Sequence, residues 1–179
     1  MLRSLPTLAA LLFAVFPATV AAQEVFAGAY VHGVETPFTF DTGERGMDVE
    51  IGYRFARLDA LELIGRPAPY LIASANTRGD TGFAGAGLSW KIGKGPLYLR
   101  PGIGLVVQDG PRLRVGGDGR RTDLGSRILF EPEIALGTKL SDKVSIEASW
   151  THISHARLFN RQQNPGIDMM GVRLVFALR

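Results

Sequence analysis

Hydrophobic and polar residues alternate one by one along most of this chain. Met47, Val49, Ile51, Tyr53 and Phe55 interleave with Asp48, Glu50, Gly52 and Arg54. The same beat runs through Leu97, Leu99, Ile103, Leu105 and Val107, then Ile128, Phe130, Ile134 and Leu136, then Met170, Val172, Leu174, Phe176 and Leu178. Successive side chains of a strand point to opposite sides, so a period of two marks strands with one apolar face. The pattern predicts eight strands, over 25–35, 46–56, 67–77, 82–92, 96–108, 127–140, 143–155 and 167–178. The third contains Pro67 and Pro69, which cannot donate to a ladder. Links over 93–95 and 141–142 are tight, and the link over 57–66 is longer. Larger loops fall between them, over 35–45, 109–126 and 156–166. Tight turns at one end and long loops at the other are the plan of an all-β, eight-stranded antiparallel up-and-down barrel.

Which face points outward follows from what each carries. The polar face mixes Gly and Ala with Asp48, Glu50, Glu131, Glu133 and Glu147 against Arg54, Lys91, Arg100 and Arg173. Small residues and nearly balanced charges suit the narrow interior of an eight-stranded barrel. The bulky apolar face then meets lipid, which makes this a transmembrane barrel. Residues 1–22 fit a secretory signal peptide: Arg3, an apolar run over 8–16, and Val20-Ala21-Ala22 before the cut. The barrel domain is then 23–179. A net charge of +3 gives no case for nucleic acid, and the chain has no cysteine. Its three histidines form no metal-ligand spacing, so neither metal nor cofactor is expected.

Candidate chemistry breaks the outward face. On the seventh strand Val144, Ile146, Ala148 and Trp150 are followed at the same parity by His152 and Ser154. On the eighth, Asp168 shares parity with Met170, Val172 and Leu174. Polar groups facing hydrocarbon cost free energy unless they are partnered or lie at the interface. The two strands are antiparallel neighbours, so Asp168 and His152 fall near the same end. Serine as nucleophile, histidine as base and an acid that orients the histidine are what acyl transfer needs. Alone, His152 is equally an interfacial residue beside Trp150, and Asp168 a residue that follows a turn.

The stretch 149–173, SWTHISHARLFNRQQNPGIDMMGVR, resembles the active-site region of PagL-type lipid A 3-O-deacylases. The resemblance lies in His152-Ile153-Ser154 and in Asn164-Pro165-Gly166-Ile167-Asp168. It implies an outer-membrane enzyme whose site faces the outer leaflet and whose partner is lipid A or lipopolysaccharide. It implies His152 as base, Ser154 as nucleophile, Asp168 as acid and Asn164 as oxyanion donor. Asp168 stands where the best-known members have Glu, and His155 and Arg157 where Asn and Gly are frequent. His155 is expected at the rim of the site. The basic residues Arg112, Arg114, Arg120, Arg121 and Arg157 are candidates for lipid A phosphates. A homodimer is one expected assembly. A non-enzymatic structural or adhesin-like barrel and a soluble periplasmic lipid-binding barrel are the alternatives.

Overall fold

The computed structural model describes residues 22–111, 113–158 and 164–178. The predicted signal peptide lies outside the described residues, except Ala22, where the first strand begins. All eight predicted strands form, with ends within about three residues of expectation. They are β1 (Ala22–His32), β2 (Met47–Phe55), β3 (Ala68–Asn76), β4 (Phe83–Ser89), β5 (Leu97–Gln108), β8 (Ile128–Lys139), β9 (Val144–Ile153) and β10 (Ile167–Ala177). Two further strands of two residues each, β6 (Arg114–Val115) and β7 (Arg121–Thr122), make a small hairpin inside the longest loop. A 3-10 turn, Asp59–Ile64, fills the longer link at the tight-turn end. The barrel closes in the order β1-β10-β9-β8-β5-β4-β3-β2, each pair antiparallel. Closure leaves no edge strand to be covered. Pro69 is tolerated because it sits at the second position of β3, where it pairs with Leu88.

The interior is a packed ionic core. Arg173 is fully buried and bonds Glu147 at 2.7 Å and Glu133 at 2.8 Å. Arg100 joins Glu147 at 2.7 Å to Glu24 at 2.9 Å, and Arg54 meets Glu24 at 2.8 Å. Phe26 fills the space opposite Gly52, and the guanidinium groups of Arg54 and Arg173 lie 4.5 and 4.7 Å from its ring centre. A charge buried this deeply persists only when it is paired and hydrogen-bonded. The outward face is the reverse: Val49, Ile51, Leu97, Ile103, Leu105, Val107, Leu136 and Val172 are all exposed. A soluble binding barrel needs an apolar cavity within, and here that volume is filled by ion pairs. The distribution is that of a barrel solvated by lipid.

Candidate active site

The site is built where β9 and β10 leave the barrel at the long-loop end. In β9, Ser145, Glu147, Ser149 and Thr151 turn inward and are buried, so Trp150 and His152 turn outward. The β9–β10 register sets Asp168 directly opposite His152, with Met170 opposite Trp150 one step below. Directly opposed residues have Cβ atoms about 5 Å apart, close enough for an aspartate to reach an imidazole. The Nδ1 atom of His152 lies 2.7 Å from Oδ1 of Asp168. The shorter acid therefore reaches the histidine from this register without a longer side chain.

Outward parity does not leave these groups open to lipid. Asp168 is 1 % exposed and Ser154 6 %. Over Asp168 the cover comes from the loop over 33–46, which folds back along β10. Val34 N donates to Asp168 O at 2.9 Å and Phe40 N to Pro165 O at 3.1 Å. The Thr36 hydroxyl donates to Oδ2 of Asp168, a partner that the strand pattern gives no means of finding. Phe38 lies 5.9 Å from Trp150 between ring centres, and Trp150 lies 6.5 Å from His152.

Ser154 follows β9 and bridges Phe130, with Phe130 N donating to Ser154 O at 2.8 Å. Its parity is that of His152, two residues away and about 7 Å along the strand. Among the described residues no hydrogen bond joins the Ser154 hydroxyl to His152. In unliganded sites of this type that bond is often long and tightens on the substrate. The chain then reverses tightly: Ala156 and Arg157 both take left-handed backbone angles, φ 51° and 61°, and Leu158 N donates to His155 O at 2.9 Å. Arg157 thus keeps the conformation that favours glycine. Gly166, at φ 60°, lays its backbone against the imidazole, so that a Cβ there would stand 2.6 Å from Cε1 of His152.

Asn164 is half-buried, and its buried Oδ1 meets no hydrogen-bond donor among the described residues. His155 is fully buried rather than at the rim, and it shares the parity of the inward, buried Thr151 and Ile153. The basic candidates separate. Arg120, Arg121 and Arg157 are exposed, with the Arg120 guanidinium 4.1 Å over the Phe40 ring. Arg114 is buried and held by Glu44 and Thr81, so its guanidinium is not available to a phosphate. Arg112 lies outside the described residues.

That inward ion group ties three loops together. His32 places Nε2 at 2.9 Å from Glu44 and Nδ1 at 2.8 Å from Asp48. Thr81 N and Oγ1 both donate to Glu44, at 3.0 and 2.9 Å. Burial alone would raise the Glu44 pKa, but the donors His32, Arg114 and Thr81 outweigh it and hold it at about 2.

The sequence model of the PagL lipid A 3-O-deacylase family matches residues 49–177. This chain belongs to that family. At that level it is a lipid A deacylase. Among curated proteins none matches in sequence. The crystal structure of the outer membrane enzyme PagL superposes with a TM-score of 0.57 at 20% identity, covering 87% of this chain and 99% of that one. Neisserial surface protein A gives 0.55 at 11% identity, covering 86% of this chain and 95% of that one. The N-terminal barrel of Pseudomonas aeruginosa OprF gives 0.54 at 11% identity, covering 88% and 100%. Proteins with other names thus share the barrel, so the fold does not single out the chemistry and the site must.

Proposed function

We propose that the protein hydrolyses the ester at the 3-position of lipid A with a Ser154–His152–Asp168 triad. The observation that carries this reading is the His152–Asp168 hydrogen bond of 2.7 Å on the outward wall of the barrel. An ester in a membrane glycolipid lies on that side. The site lies at the long-loop end of the barrel, which supports an orientation toward the outer leaflet.

Ser154 Oγ attacks the ester carbonyl while His152 Nε2 takes its proton. Asp168, at Nδ1, holds the ring and stabilises the imidazolium. The tetrahedral oxyanion is received by the Asn164 amide and by a backbone N–H of the left-handed turn at Ala156 and Arg157. A donor of this kind contributes about 3 kcal/mol to the transition state. Collapse breaks the bond to the sugar oxygen, which takes the proton from His152. Water, activated by the same histidine, then releases the fatty acid and restores Ser154. Trp150, Met170 and Phe38 offer apolar surface beside the reacting groups for the departing chain. The exposed Arg120, Arg121 and Arg157 would meet lipid A phosphates as bidentate donors. Arg112 belongs with them by sequence.

Covalent labelling tests the nucleophile. A lipophilic fluorophosphonate should label the purified barrel at Ser154, and both Ser154→Ala and His152→Asn should abolish labelling while the barrel stays folded. Undiminished labelling of folded Ser154→Ala would refute the assignment.

A further inference from the structure

The loop that covers the site does more than exclude solvent. Between its two backbone bonds to the β10 side, from Val34 and Phe40, it inserts the Thr36 side chain at Asp168. The two residues are 132 positions apart in the chain. The Asp168 side chain is fully buried, and among the described residues each of its carboxylate oxygens has one donor: His152 Nδ1 at Oδ1 and the Thr36 hydroxyl at Oδ2. The Thr36 oxygen is fixed in turn, because Phe38 N donates to it at 3.1 Å. Its single proton is therefore committed to Asp168.

We infer that Thr36 is a positioning residue of the reaction, the fourth member of a chain Thr36–Asp168–His152–Ser154. The inference rests on the reading of Asp168 as the triad acid. A carboxylate with one free oxygen can turn about its last torsion and offer the histidine either oxygen, or neither squarely. Thr36 removes that freedom by holding Oδ2, which leaves Oδ1 aimed at Nδ1. It also satisfies an oxygen that would otherwise be buried without a donor. A short acid set directly opposite the histidine gains most from such a second anchor. The loop over 33–46 thereby becomes part of the catalytic machinery, supplied by the strand pair on the other side of β10.

Two substitutions separate the hydroxyl from the shape. Thr36→Val keeps the volume and removes the donor; Thr36→Ser keeps the donor. Purified variants, with the barrel verified by heat-modifiable gel migration, are assayed on lipid A in mixed micelles. Thr36→Val should lower kcat roughly ten- to hundredfold, the range for a lost hydrogen bond to a charged group, with KM within about twofold. Thr36→Ser should stay within about threefold of the parent. The downfield NMR resonance of the His152 Nδ1 proton should move in Thr36→Val and return in Thr36→Ser. Parental kcat in Thr36→Val, or equal losses in Thr36→Val and Thr36→Ser, would overturn the inference. Asp168→Asn runs alongside. If it keeps parental kcat, the triad reading falls and takes this role with it. If it is inactive while Thr36→Val is not, only the role of Thr36 falls.

Discussion

At the scale of single residues, the account depends on how tightly His152 is held. Asp168 fixes one ring nitrogen, and Gly166 leaves room only for a hydrogen beside the adjacent Cε1–Nε2 edge. A methyl group at 166 would stand 2.6 Å from Cε1 and 3.1 Å from Nε2, and it would also meet a left-handed backbone at φ 60°. Gly166→Ala should therefore push the imidazole aside. The expected result is a loss of kcat of at least about tenfold, with about 1 kcal/mol of added backbone strain. Steady-state kinetics beside a urea unfolding curve would check it, and unchanged kcat would contradict the packing described. The left-handed Arg157 bears on the same question. Arg157 holds a left-handed backbone angle that favours glycine, at a cost of order 1 kcal/mol that surrounding contacts must offset.

At the scale of elements, the strands are legible in the sequence and the loops are not. Each strand lies between lipid and a packed interior, so burial imposes a period of two that Met47–Phe55 or Ile167–Ala177 displays directly. The shared parity of His152, Ser154 and Asp168 follows from that period. No such constraint acts on 33–46 or 109–127. Thr36 over Asp168, Glu44 on Arg114 and the β6–β7 hairpin depend on chain segments meeting far from their sequence neighbours. Arg114 illustrates the difference: by composition it belongs with the exposed arginines, and in the fold it is buried. The loop latch makes its own prediction. Glu44 has its pKa held at about 2 against an ordinary 4.5, so its contribution is complete above that ordinary value and is lost as pH falls through about 2. Pepsin should leave the 109–127 loop intact near pH 4 and cut it near the buried Leu124 as pH approaches about 2. Equal cleavage at both would show that Glu44 does not hold the loops.

At the scale of the whole molecule, the barrel inverts the usual arrangement, with charge inside and hydrocarbon surface outside. Its core is strong only as a complete network. Arg173 touches Glu50, Glu133 and Glu147, so Arg173→Met would leave the buried Glu50 and Glu133 without their cation and Glu147 with Arg100 alone. A destabilisation of about 3–5 kcal/mol is expected, read as a lower urea midpoint for loss of heat-modifiable migration. A change below about 1 kcal/mol would mean that the carboxylates re-pair or are neutral. Neisserial surface protein A and the OprF barrel share this architecture, so the proposed chemistry rests on the group at the ends of β9 and β10 and not on the fold. The most direct measurement of that claim is the mass of lipid A from cells that carry the intact protein or its Ser154→Ala variant at equal levels in the outer membrane. Lipid A should be lighter by one 3-position hydroxyacyl chain with the intact protein and unchanged in mass with the variant. The same loss from both would contradict it.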